Sequence, residues 1–229
     1  MTRVCRGGNR RAPYCGAPDV VIGLAPTPAG RPFTQQLAEE FDGCVFLTIA
    51  QVEPRLYDRV LTVNGVSKAY SMTGWRLGFC GGPAPLIKAM SNVNTQNAGG
   101  ITTLAQAAAI AVLDGPQDLL KERAAIYRER RDFVLEKLAA LPGLVCHKPQ
   151  GAFYLFVNIA AFIGKASAGG RQINNDADFV MALIEEQHVV TVQGAAYGMS
   201  PYIRLSYATS MERLQTGCER LASFCEGCQ

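Results

Sequence analysis

Residues Asn64 to Gly78 read NGVSKAYSMTGWRLG. An apolar, β-favouring run, Val60-Leu61-Thr62-Val63, leads into Ser67-Lys68, and eight residues on Gly74-Trp75-Arg76-Leu77-Gly78 opens onto Phe79 and Cys80. The pattern is a strand, a break around one lysine, a turn-rich passage carrying one arginine, and a second apolar strand. A lysine at the end of a buried strand is unusual, because the interior opposes its charge and lowers its pKa. That makes the amine a better nucleophile toward a carbonyl carbon. The nearby arginine supplies a planar fork suited to phosphate. The bland alternative is a surface lysine in an ordinary strand–turn–strand. A reactive amine beside a phosphate clamp suits pyridoxal phosphate, whose aldehyde needs the first and whose phosphate needs the second.

The stretch GVSKAYSMTGWRLG, 65–78, resembles the attachment-site signature of the class I and II aminotransferases. The wider run AQVEPRLYDRVLTVNGVSKAYSMTGWRLG, 50–78, resembles the bacterial aspartate aminotransferase branch of that family. The resemblance implies an α/β fold of the fold-type I PLP-transferase kind. It would comprise part of a large domain with a mixed, mostly parallel sheet, followed by a C-terminal α+β small domain. It also implies pyridoxal 5'-phosphate as cofactor, Lys68 as the catalytic residue that bonds the cofactor aldehyde, and Arg76 on the phosphate, with Ser67 as a further phosphate contact. Amino-acid and 2-oxo-acid substrates, a homodimer in the full-length family and a cytoplasmic location follow by the same route.

Composition sets the limits within which that reading must fit. A chain of 229 residues, 48% apolar and 18% charged, is long enough to bury a core as one large domain or two modest ones. The formal charge of +3 is small and unclustered, which suggests neither nucleic acid nor a membrane surface as partner. No apolar run approaches the length of a membrane span. Eight cysteines are scattered through the chain, and only Cys225-Glu226-Gly227-Cys228 is a C-x-x-C; with His147 and His188 the sole histidines, zinc spacing is missing.

Residues 1–41 read differently from the rest. Five arginines, five prolines and five glycines between Met1 and about residue 40 deny both ladders and helices, with Val20-Val21-Ile22 the one strand-like run. The expectation is a divergent or non-native, poorly ordered leader over 1–41, the C-terminal part of a PLP-binding large domain over 42–120, and a small domain over 121–229. Beyond the lysine stretch, Pro83 starts a helix with Leu86, Ile87, Met90 and Val93 at helical spacing. Thr102 or Thr103 caps a second, with Leu104, Ala107, Ala108, Ala111 and Val112 inward and Gly115-Pro116 as its stop. A long helix from Gln117 to Leu141 carries Leu120, Ala124, Tyr127, Arg131, Val134 and Leu138 on one stripe. The period then changes toward two: strands over 144–146 and 151–159, a helix capped by Asp176, strands over 189–193 and 202–207, and a last helix from Ser210 or Met211 to about Phe224.

Tyr202-Ile203-Arg204-Leu205-Ser206-Tyr207 is the second constellation. An arginine amid β-branched and aromatic residues must either pair internally or face a ligand. The resemblance implies the second: the family writes this strand as x-x-[IVL]-R-[LIF]-S, and Arg204 stands where its arginine holds the substrate carboxylate. Gly151-Ala152-Phe153-Tyr154 matches a family stretch beside the cofactor pocket, and its aromatics equally suit a core. With Lys68 moving the proton and Arg76 and Arg204 fixing orientation, the implied reaction is transfer of an amino group from an amino acid, aspartate in the branch resembled, to a 2-oxo acid. One family element has no match. No Asp upstream of Lys68 is followed three residues later by a tyrosine, the pair expected at the cofactor's ring nitrogen and oxygen. Two alternatives therefore stay open: a truncated, non-catalytic remnant, and another fold-type I enzyme such as a β-lyase, which the same three residues would serve.

Overall fold

The computed structural model describes residues 21–23, 41–43, 48–97 and 99–229. They divide into two units, one ending at Glu122 and the other running from Arg123 to Gln229. Of the leader expected over 1–41, only strand β1 (Val21–Gly23) and Phe41 fall within the described residues.

In the first unit a capping box at Thr48 and Gln51 opens the single turn α1 (Ile49–Val52). Strand β2 (Val60–Gly65) pairs parallel with β1 and antiparallel with β3 (Gly78–Gly81), giving a mixed three-stranded sheet in the order β1-β2-β3. Helix α2 (Ala84–Asn97) buries Ile87 alone, and its Met90 and Val93 are exposed.

Helix α3 (Thr103–Asp114) is capped by the Thr102 hydroxyl, which accepts the Ala105 N–H, and it stops at Gly115 as expected. Its inward face is not the expected one. Ala105 and Ala109 are buried, with Ala108 and Val112 packed beside them, whereas Leu104 is 76% exposed. A run of alanines carries almost no amphipathic signal, so the neighbours across the gap choose the face.

Helix α4 (Asp118–Ala139) passes from the first unit into the second and buries five residues of the expected stripe, Leu120, Ala124, Arg131, Val134 and Leu138, while its Tyr127 is half-buried. The second unit then lays down β4 (Val145–Cys146), β5 (Tyr154–Asn158), α5 (Asp176–Gln187), β6 (Val192–Gln193), β7 (Tyr202–Ser206) and α6 (Met211–Gly227). Its sheet is antiparallel throughout, in the order β4-β5-β7-β6. Leu155, Val157 and Ile203 alternate onto one face and are buried, as are Phe179 and Leu183 of α5 and Leu214, Leu221 and Phe224 of α6. Phe179 is edge-on to both Phe162 and Phe224.

The cap of α5 is Asn175, whose side chain accepts the Asp178 N–H at 3.0 Å, and not Asp176, which is already the first helical residue. Among the described residues no helix is long and apolar enough to cross a membrane.

Candidate active site

The lysine stands in a turn, not in a strand. Strand β2 ends at Gly65, where a side chain would press on the Leu77 carbonyl at 3.2 Å, so glycine lets β2 and the start of β3 close on each other. Val66, Ala69, Tyr70, Met72 and Leu77 are buried in one cluster with Ala105 and Ala109 of α3 and Leu120 of α4. The turn is closed by the Tyr70 N–H on Val66 O (3.3 Å) and the Ser71 N–H on Lys68 O (3.1 Å). Tyr70 is held further by its hydroxyl, which donates to Gln117 Oε1 at 2.7 Å, while Gln117 Nε2 donates to the Val112 and Gly115 carbonyls that end α3.

Lys68 is exposed and Ser67 half-buried. That corrects the expectation of a lysine at a buried strand end. The apolar residues on both sides of Lys68 take the interior, and the turn leaves the ammonium, costly to desolvate, on the outside. Arg76 is also exposed, with Nη1 donating to Thr73 O at 3.3 Å. Ser71 and Arg76 both adopt the left-handed conformation (φ 55° and 51°), which costs a non-glycine residue on the order of 1–3 kcal/mol each. Ser67, Lys68 and Arg76 thus sit on one stretch whose backbone is held in place by buried neighbours and carries strain at two positions.

Arg204 lies on β7, between β5 and β6, opposite Phe156 on one side and Val192 on the other. It therefore shares the sheet face of Phe156 and Tyr154, away from Leu155, Val157 and Ile203. Its guanidinium carbon is 4.2 Å from the centroid of the Tyr154 ring and 4.6 Å from that of Tyr197. Among the described residues no carboxylate lies within ion-pair distance of it. The internal ion pair that the sequence left open is not formed here. Two aromatic faces hold the cation instead, an arrangement that leaves the in-plane N–H donors available to a planar anion.

The two aromatics of the Phe153-Tyr154 pair separate in role. Phe153 is 7% exposed, with its ring 6.0 Å from Tyr127, and Tyr154 is half-buried over Arg204. The loop leading into them is fixed at two carbonyls. Arg131, fully buried and paired with Asp132 at 2.8 Å, donates to Pro149 O at 2.9 Å; the Tyr207 hydroxyl donates to the carbonyl of the left-handed Ala152 (φ 64°) at 2.7 Å. Burial pushes the Tyr207 phenol above its ordinary range, and the nearby Arg131 charge opposes that shift.

Sequence reasoning missed Tyr197 altogether. Its signal was an aromatic in the glycine-bracketed run Gly194-Ala-Ala-Tyr-Gly198 between two strands. Among the described residues no group of three or more His, Cys, Asp or Glu side chains could hold a metal ion. At the C-x-x-C, burial together with the neighbouring Cys228 and Glu226 pushes the Cys225 thiol up to about 12, and Cys228 Sγ donates to Phe224 O. These are protonated, poorly nucleophilic thiols at neutral pH.

Ser67, Lys68 and Arg76 belong to the first unit, and Arg204, Tyr154 and Tyr197 to the second. The model of the family "Aminotransferase class I and II" matches residues 33–221. The aspartate aminotransferase of Rhizobium meliloti (strain 1021) is 50% identical over 186 residues, which are 81% of this chain and 45% of the relative. The probable aspartate/prephenate aminotransferase of Rhizobium leguminosarum bv. phaseoli is 47% identical over 184 residues, 80% of this chain and 46% of the relative. The chain thus spans a little under half the length of the curated relatives it matches. Among solved structures, the aspartate aminotransferase from Rhizobium meliloti superimposes with a TM-score of 0.80 at 49% identity, over 82% of this chain and 47% of that one. The Thermotoga maritima aspartate aminotransferase does so with a TM-score of 0.71 at 30% identity, over 85% of this chain and 46% of that one. With the family model covering most of its length and two relatives near half identity, the chain belongs to the class I and II aminotransferases.

Proposed function

We propose that this chain carries the cofactor-bonding and carboxylate-binding parts of a pyridoxal-phosphate-dependent aminotransferase, one that moves the amino group of an amino acid, aspartate by the names of its relatives, to a 2-oxo acid. The observation that carries the reading is the lysine turn: one exposed amine, flanked by buried residues on both sides, on the same stretch as an exposed arginine.

The donor set fits the group. An amine bonds the cofactor aldehyde, and a guanidinium with a neighbouring hydroxyl suits its phosphate. When bound, the cofactor supplies the electron sink for the carbanion formed at the substrate Cα. Lys68 would accept and return the proton at the substrate Cα, Arg76 with Ser67 would anchor the phosphate end, and Arg204, its guanidinium held by the Tyr154 and Tyr197 rings, would take the substrate carboxylate. A homodimer and a cytoplasmic location go with this reading. So does a division at 42–120 and 121–229 into part of a large domain and a small one.

Pyridoxal phosphate added to the purified chain, followed by borohydride reduction and peptide mapping, tests the assignment. The label is expected on Lys68. Label on Lys88, Lys121 or Lys165, with none on Lys68, would overturn it.

A further inference from the structure

A buried carboxylate in the second unit is used by none of the roles above. Asp176 is 2% exposed, and among the described residues no lysine, arginine or histidine pairs with it. Nor does it cap its own helix, since Asn175 does that. Its two oxygens reach out of α5 instead. Oδ2 accepts the Ala195 N–H at 2.6 Å and Oδ1 accepts the Ser200 hydroxyl at 3.1 Å. A carboxylate buried without a cation is costly unless hydrogen bonds satisfy it, and both of these bonds go to the connection between β6 and β7.

That connection is the one carrying Tyr197. It is closed by the Met199 N–H on Gly194 O (2.9 Å) and the Gly198 N–H on Ala195 O (3.1 Å), and a Cβ at Gly194 would stand 2.0 Å from Met199 O, so the turn has one tight conformation. Tyr197 itself is 45% exposed. Its edge contact with Phe156 (5.7 Å between centroids) and its seat on Arg204 cover only part of the ring, so its place depends on the backbone beneath it. Asp176 holds that turn near both ends, through the Ala195 N–H at one and the Ser200 hydroxyl at the other.

We propose that Asp176 is a positioning residue for carboxylate recognition: it pins the 194–200 turn and thereby lays Tyr197 on the Arg204 guanidinium. The inference rests on the reading of Arg204 as the carboxylate receptor. Its consequence is that Asp176 acts on an anion it does not touch, through one aromatic ring.

The test uses the full chain, succinate as the carboxylate probe, and phenylglyoxal modification of Arg204 followed by mass spectrometry, so that protection against succinate concentration gives an apparent dissociation constant. In the wild type succinate slows Arg204 modification; if it does not, the Arg204 reading falls and this inference with it. Asp176→Asn and Tyr197→Ala are each expected to weaken protection, roughly three- to tenfold, the scale of one cation–π contact. The double variant should be no weaker than Tyr197→Ala alone, because both changes remove the same contact. A structural role confined to stability would lower the melting temperature and leave protection unchanged well below it. Unchanged protection in Asp176→Asn, or additive losses in the double variant, would overturn the positioning role and leave Arg204 as receptor standing. Should Asp176→Asn fail to fold, Ser200→Ala removes one of the two hydrogen bonds and takes its place in the same cycle.

Discussion

Arg204 shows what a middle-strand cation needs in order to be kept. With no carboxylate within reach among the described residues, the energy that holds it comes from two tyrosine faces at 4.2 and 4.6 Å, and its hydrogen-bonding edge is spared for an anion. Arg204→Ala is therefore expected to weaken amino-acid binding by about ten- to a hundredfold per charged hydrogen bond lost, with cofactor affinity unchanged. Arg204→Lys should recover little, since a point charge offers no fork and stacks poorly between rings. Separate titrations of cofactor and amino acid check this, and equal losses of both would make the arginine structural. Gly194 tests the turn beside it. A methyl group there would meet Met199 O at 2.0 Å and Tyr202 O at 2.7 Å, both backbone atoms that cannot step aside. Gly194→Ala should cost more than the roughly 1–3 kcal/mol of ordinary overpacking, read by denaturant unfolding. Gly198, left-handed at φ 68° but with open space around it, should tolerate alanine better.

At the scale of elements, the parts legible in the sequence are those where pattern and packing agree. The stripe Leu120, Ala124, Arg131, Val134 and Leu138 on α4 reads off the 3.6 period because a polar face opposes it. The alternation of β5 and the glycine-bounded lysine stretch read off equally directly. Helix α3 did not. Apart from Thr103, Gln106 and the terminal Asp114, TLAQAAAIAVLD is small or apolar all round, and the buried face is chosen by Val66, Ala69 and Tyr70, which need close approach and so take Ala105 and Ala109 over Leu104. Ala109→Leu is accordingly expected to destabilise by about 1–3 kcal/mol through overpacking, and Leu104→Ser by less than about 0.5 kcal/mol. Thermal melts of the two variants decide it, and the reverse ranking would mean that α3 is rotated from its described seat. The candidates Lys68, Arg76 and Arg204 could be named from the sequence because each is one residue type suited to one chemical job. Tyr197 and Asp176 could not be, because an exposed aromatic and a helix-start aspartate have common structural explanations, and only the fold lays Tyr197 on Arg204 and bonds Asp176 to the turn that carries it. The exposure of Lys68 was illegible for a related reason. The sequence marks where a strand stops, not which way the next turn faces.

At the scale of the whole molecule, the thiols and the phenol that are pushed up among the described residues lie in the second unit. Burial is the first cause at each of these: Cys146 is pushed up to about 11 and Cys225 to about 12, and Cys218, Cys228 and Tyr207 move in the same direction. A thiol whose folded pKa stands above its unfolded value of about 9 keeps its proton longer when folded, so the folded state is favoured at low pH. The stability tied to that proton is complete below about pH 9 and is lost as pH rises through the folded values of about 11 and 12. The expectation is a second unit whose denaturant midpoint is flat from pH 7 to about 9 and then falls steadily toward pH 11. Replacing Cys225 and Cys228 by alanine together should make that fall shallower, because two of the groups that release protons on unfolding are gone. The same protonation keeps the C-x-x-C unreactive, so iodoacetamide at pH 8 should alkylate the native thiols far more slowly than the denatured ones. Urea titrations at pH 7, 9, 10 and 11, followed by fluorescence of the tyrosines packed around Phe153, measure the profile. A midpoint that stays level to pH 11 would show that these side chains reach water in the folded protein, and that the second unit is not packed as its buried cysteines and Tyr207 require.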